Sequence, residues 1–209
     1  MQTTSWGERA SAPPPSTPTD GRTARRDRNR TAVLDAVIEL FDEDDLSPGV
    51  HEVARRSGVS LRSVYRYFDD VDALIAAAIE RQYELSRPHF TIPRLGQGPL
   101  DERIGRFCRA RVGLFARVRT VFVAATVRSR LDRQVADGLA WSRKQLRHQT
   151  EAMFAPELDA LDEADRQMTF VTLDVLSQFE TLELLRETRG YDEQATIDYL
   201  VDTFTDRLT

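Results

Sequence analysis

The stretch EVARRSGVSLRSVYRYF, residues 52–68, leaves the chain few ways to fold. Val53 and Ala54 precede Gly58 by about one helical turn, Val59 follows it, and Val64 and Phe68 lie one turn apart beyond it. These residues share one core only if two short helices meet at an angle across a tight turn. Ala54 has to be small for the helices to approach, and Gly58 supplies the left-handed backbone that redirects the chain. With that face buried, Arg62, Ser63, Tyr65, Arg66 and Tyr67 are expected to project together from the second of the two helices. Arginine pairs with the two acceptors on a guanine edge, while serine and tyrosine hydroxyls bind phosphate oxygens, so the set has the chemistry to read duplex DNA.

The charge distribution agrees. A net charge of −5 excludes a protein that coats nucleic acid over its whole surface. Residues 22–68, however, carry nine arginines against eight acidic residues, a net of +1, whereas the residues from 69 onward sum to −5. Arginines lie at 22, 25, 26, 28 and 30 and again at 55, 56, 62 and 66, and the acidic residues bunch at 42–45. The pattern predicts a module with a basic face toward phosphates and an acidic corner pointing away.

The remaining organisation is helical. Residues 1–21 are rich in Ser, Thr, Pro and Gly without apolar periodicity, and are expected to form a disordered tail. From about Arg26, the spacing of Val33, Leu34, Val37, Ile38 and Phe41 predicts an amphipathic helix. Ser47 reads as an N-cap with Pro48 at the first position of a short helix ending at Ser57. Ser60 reads as the cap of a third helix through Phe68, and Asp69 and Asp70 as the start of a fourth with Val71, Leu74, Ile75, Ala78, Ile79 and Tyr83 inward. HFTIPRLGQGP, with two prolines and two glycines, reads as a loop, followed by helices over roughly 99–117, 119–130, 132–154, 162–188 and 192–208. No strand-like alternation occurs, so the fold class is all-α: a helix-turn-helix unit over 22–70 and a larger helical domain over 71–209.

Several function classes have no support. The chain lacks both a membrane-length apolar run and the apolar centre of a secretory signal near its first residues, so a cytoplasmic location is expected. The single cysteine, Cys108, reads as a buried helix residue, and His51, His89 and His148 are too scattered for a metal site. A Gly-rich phosphate loop, a Gly-x-Ser-x-Gly elbow and a Cys/His pair are all missing, so the reading is of a protein that is not an enzyme and has no cofactor or metal.

From about Arg30 to Leu74 the sequence resembles the DNA-binding domain of the tetracycline-repressor-like (TetR) family of transcriptional regulators. RTAVLDAVIELF, EVARRSGVS, SVYRYF and DAL carry the resemblance, in that order and spacing. It implies that Ser60 to Phe68 is the recognition helix, that Tyr65 and Tyr67 bind phosphates or flanking bases, and that His51 lies near the groove. An arm carrying Arg22, Arg26 and Arg30 would follow the DNA backbone or minor groove. It also implies that the rest of the chain binds a small-molecule effector and dimerises through the last two helices, giving a ligand-responsive repressor of a palindromic operator. Candidate effector contacts are Phe107, Phe115, Phe122, Trp141 and His148. Two departures stand out: Val71 occupies a place where many members have a phosphate-binding lysine, and Glu43-Asp44-Asp45-Leu46 fills a turn that usually holds glycine. They support an alternative, a helical ligand-binding or scaffold protein with weakened DNA binding.

Overall fold

The computed structural model describes residues 21–209, and every regular element among them is helical. The α-helices are α1 (Gly21–Asp42), α2 (Val50–Ser57), α3 (Leu61–Tyr67), α4 (Val71–Ser86), α5 (Leu100–Arg128), α6 (Arg133–Asp159), α7 (Glu163–Leu176), α8 (Phe179–Arg189) and α9 (Glu193–Leu208), with a 3₁₀ turn at Arg87–Phe90. The tail expected over 1–21 lies outside the described residues except for Gly21, which opens α1. Arg22 to Arg30 form the first turns of α1 rather than an arm, because arginine and alanine let the helix extend back from its apolar half.

One apolar cluster runs through the described residues, and α4 is its hinge point. Leu74, Ile75, Ala78 and Ile79 of α4 are buried, and the helix packs against α1, α5 and α6. On the N-terminal side the cluster takes in Val33, Leu34, Val37 and Phe41 of α1, with Ile38 half-buried. Deeper in, Phe107, Phe154 and Phe204 meet with ring centroids 5.2 to 5.8 Å apart, joining α5, α6 and α9. Phe115, Phe122 and Phe179 make a second set at 5.5 to 6.5 Å that joins α5 to α8. Such aromatic contacts add about 0.5–1.5 kcal/mol each beyond the area they bury.

Several boundaries differ from the sequence pattern. The helices expected at 99–117 and 119–130 are one, α5. The break expected at Ala155-Pro156 is a kink inside α6: Phe154 leaves helical geometry (φ −116°, ψ 17°) and the chain continues to Asp159. Pro156 has no N–H to give the carbonyl one turn earlier, that of Ala152. The loop before α5 closes over this kink, so that a Cβ on Gly96 would lie 2.7 Å from the Ala152 oxygen. Arg103 of α5 then binds the Met153 oxygen at 2.7 Å, the Gly98 oxygen at 3.0 Å and the Glu157 carboxylate. The helix expected over 162–188 splits at Ser177-Gln178, where the hydroxyls of Ser177 and Thr181 take the carbonyls of Asp174 (3.2 Å) and Val175 (2.6 Å). The second short helix starts at Val50 with Gly49, not Ser47, as its cap, because the Ser47 N–H is held by the Asp45 carboxylate at 3.2 Å.

The last two helices expected from the sequence, over 162–188 and 192–208, expose their apolar residues unequally. Ile197, Leu200 and Phe204 of α9 are buried against the chain's own α5. Met168, Val171 and Val175 of α7 and Leu184 of α8 are instead 41% to 62% exposed. The unpartnered apolar stripe therefore lies on α7 and α8.

Gly58 and Gly96 both have positive φ, at 66° and 72°, but only Gly96 has an atom where a side chain would go. Gly58→Ala is expected to lower stability by about 1–2 kcal/mol, the cost of a left-handed residue. Gly96→Ala should cost distinctly more, measured by denaturant unfolding of both variants; equal losses would contradict the close approach to Ala152.

Candidate nucleic-acid interface

The turn between α2 and α3 has the geometry that its residue types require. Gly58 ends α2 in the left-handed region (φ 66°, ψ 13°), with open space where a Cβ would project, so backbone conformation alone demands glycine. Val53, Val59, Val64 and Phe68 are buried and Ala54 is half-buried against them. Ser60 caps α3: its Oγ accepts from the Ser63 N–H at 3.3 Å and donates to the Ser63 Oγ at 3.0 Å. Asp70 caps α4 by accepting from the Ala73 N–H at 2.7 Å.

With Val64 turned inward, the outer face of α3 carries Arg62, Tyr65 and Arg66, all exposed, and Ser63, half-buried. Tyr65 has half its surface open to solvent. Tyr67 departs from the expected projection: its ring packs against the core, and its hydroxyl accepts from the Arg66 guanidinium at 3.2 Å. Arg66 also lies 5.2 Å from the centre of that ring, which holds the cation in place.

His51 is exposed on the first turn of α2. Arg22 and Arg26 are exposed on α1. Arg30 bridges back to the motif, its guanidinium 5.2 Å from the Phe68 ring at the end of α3. Sequence spacing could not pair Arg30 with Phe68, because the contact depends on how α1 crosses α3.

The acidic corner is occupied by the protein itself. Arg56 donates to both oxygens of Glu43 at 2.6 and 2.9 Å, and these hydrogen bonds hold the Glu43 carboxyl below its usual range. Asp42 accepts from the Thr120 hydroxyl at 2.7 Å, and Asp44 lies 3.5 Å from Arg119, both on α5. Asp44 adopts a positive φ of 64°, so an aspartate takes the conformation for which glycine is usual. Arg55 pairs with Glu52 and is mostly exposed. Val71 is half-buried against the core.

The proposed effector contacts do not converge. Phe107, Phe115 and Phe122 are core residues of the two aromatic sets, and His148 is exposed on α6. Trp141 alone faces a sizeable cleft, of about 180 Å³ between α4 and α6, beside Tyr83, Glu80, Glu84 and Val135. Burial raises the Tyr83 phenol above its ordinary range, which keeps it a neutral donor. Cys108 is buried and its thiol is pushed up to about 12 by burial, far from a reactive thiolate. Among the described residues there is no group of three or more potential metal ligands. No helix among them is long and apolar enough to cross a membrane.

The sequence model of the bacterial regulatory proteins of the tetR family matches residues 33–78, from the apolar half of α1 through α2 and α3 into α4. Residues 33–78 are thus similar to the tetR-family regulators over the helix-turn-helix region. An uncharacterized HTH-type transcriptional regulator of Mycobacterium tuberculosis is 39% identical over 66 residues, which is 31% of this chain and 33% of that protein. The chain thus matches about a third of that relative's length. A tetR-family transcriptional regulator from Streptomyces coelicolor has the same fold over 87% of this chain and 80% of its own, with a TM-score of 0.67 at 21% identity. A putative transcriptional regulator from Saccharomonospora viridis, solved in complex with choline, covers 88% of this chain and 96% of its own, with a TM-score of 0.62 at 14% identity. The fold shared with these two structures therefore extends beyond the matched motif to the C-terminal helices.

Ser60→Ala should lower stability by about 0.5–2 kcal/mol, the usual loss on removing an N-cap, whereas Ser60→Asp should keep it because aspartate caps equally well. Thermal unfolding of the two variants checks this, and equal losses would show that the hydroxyl pair with Ser63, not the cap, is what matters.

Proposed function

We propose that the chain is a homodimeric DNA-binding transcriptional regulator, a repressor that binds a palindromic operator and is released by a small amphipathic effector. The observation that carries the reading is the outer face of α3, where Arg62, Ser63, Tyr65 and Arg66 are presented together beside a capped helix start. Arg62 and Arg66 are the base-reading candidates, and Tyr65, with Ser60 and Ser63, binds phosphates. Arg22, Arg26 and Arg30 of α1 and His51 of α2 contribute further backbone contacts.

The rival reading, a ligand-binding or scaffold protein with weakened DNA contacts, draws on Val71 and on the acidic residues 42–45. The second support is reduced, since Glu43, Asp44 and Asp42 are engaged by Arg56, Arg119 and Thr120. The effector reading rests on the cleft between α4 and α6. A ligand there touches the helix that directly follows the recognition helix, and it shifts the equilibrium only if it binds the released arrangement more tightly.

Recovery of genomic fragments on the purified protein should yield a palindrome with half-sites about one helical turn, or a multiple of it, apart. Retention of no fragment would favour the rival. Arg62→Ala and Tyr65→Ala should each weaken operator binding at least about tenfold, as loss of a base or phosphate contact does, without changing the unfolding midpoint. Affinity should also fall steeply with salt. Binding unchanged in both variants, or flat with salt, would remove α3 as the contact surface.

The dimer is proposed to form through Met168, Val171, Val175 and Leu184. Val171→Asp should give a folded monomer by analytical ultracentrifugation. A variant that remains dimeric would place the interface elsewhere.

A further inference from the structure

The two arginines on the outer face of α3 are held differently. Arg62 and Arg66 lie about one helical turn apart and both are exposed. Arg62 makes no hydrogen bond, ion pair or ring contact among the described residues, so the fold does not fix its rotamer. Arg66 donates from Nη2 to the Tyr67 hydroxyl at 3.2 Å, and its Cζ lies 5.2 Å from the centre of the Tyr67 ring. The hydrogen bond and the ring contact together restrain both the position and the plane of the guanidinium. They use one of its five N–H donors and leave the rest for a base edge.

Tyr67 can hold its neighbour because it is itself held. It is the last residue of α3 and is half-buried, with its ring packed against the apolar cluster. The next residue, Phe68, is buried, leaves helical geometry at φ −137° and ψ 132°, and gives its N–H to the Val64 oxygen at 3.0 Å. Arg30 of α1 lies 5.2 Å from the Phe68 ring, so the end of α3 is tied to α1 as well. A long side chain that reads a base edge loses rotamer freedom on binding. One already restrained in the free protein loses less, and the saving is realised only with the base it fits.

We propose that Tyr67 is a positioning residue rather than a phosphate ligand: it holds Arg66 in place before DNA arrives, and so sets the stringency with which Arg66 reads one base pair, a guanine by the chemistry of its fork. Arg62, which has no such support, serves as the internal comparison. The inference rests on the DNA-binding reading given above.

The test uses the full chain and the palindrome recovered from genomic fragments, with each half-site position substituted in turn and affinity measured by fluorescence anisotropy at fixed salt. Arg66→Ala should abolish discrimination at one base pair. Tyr67→Phe, which keeps the ring and removes the acceptor, should lower discrimination at that same pair by about two- to tenfold, the ordering cost of one long side chain. It should leave unchanged the pair relaxed by Arg62→Ala. Tyr67→Leu, which removes the ring too, should lower discrimination further, and relaxation in Tyr67→Leu alone would assign the holding to the ring. In the Arg66→Ala background Tyr67→Phe should have no further effect, since nothing is left to position. A phosphate ligand would instead weaken binding to every sequence alike, with or without Arg66. That result, unchanged discrimination in both Tyr67 variants, or an Arg66→Ala variant that relaxes no base pair would each overturn the proposal. So would loss of the folded state in both Tyr67 variants, read by thermal unfolding, because the ring would then serve the core alone. Wild type that retains no genomic fragment removes the DNA-binding reading and this proposal with it, whereas any of the other adverse results removes the proposal alone.

Discussion

Helix α4 has to satisfy two packing partners at once, and most of the architecture follows from that. Its buried residues close the small core under the helix-turn-helix on one side and meet α5 and α6 on the other. Because Asp70 caps α4 only three residues after Tyr67 ends α3, α3 cannot reorient freely while α4 stays seated. Packed interiors respond to displacement by shifting between discrete arrangements rather than by stretching. The cleft beside Trp141 and Tyr83 thus borders the element that sets the angle of α3.

Polar contacts reinforce the same junction. Arg81 of α4 binds Asp35 of α1 at 2.7 Å, and Arg128 of α5 binds Asp72 of α4 at 2.6 Å. Arg119 is the most connected of these side chains: it takes both oxygens of Glu183 at 3.0 Å, Glu187 at 2.9 Å and, more loosely, Asp44. It links the acidic corner after α1 to α8, the helix that also carries exposed Leu184. Exposed ion pairs contribute little singly, so their value here lies in fixing relative position rather than in stability. The charge separation noted in the sequence thereby has a structural role: Asp42 and Asp44 hold the N-terminal unit on α5, and Arg62 and Arg66 of α3 have no acidic partner among the described residues.

Local features were legible in the sequence where a single residue's chemistry decides them. Gly58, the caps Ser60 and Asp70, and the inward Val53, Val59, Val64 and Phe68 all follow from turn chemistry and helical period. Errors arose where a competing local interaction or a distant neighbour intervened. Asp45 captured the amide of Ser47, Pro156 kinked a helix that packing carried onward, and Ser177 and Thr181 split a continuous apolar pattern. The effector residues fared worst, because an aromatic at helical spacing looks the same whether it fills a core, as Phe107 does, or borders a cleft, as Trp141 does.

By itself the sequence determined the all-α class, the two-helix turn and, Tyr67 excepted, the side chains left on the outer face of α3, since periodicity and backbone preference act within a few residues. Only the tertiary structure decided that α9 buries its apolar face against α5 and leaves the stripe to α7 and α8. It alone decided that the acidic corner faces Arg56, Arg119 and Thr120, and that Arg111 is enclosed without a counter-charge while Arg103 is given one. Each of these depends on which helix faces lie opposite one another, and that is settled by the joint packing of residues far apart in the chain.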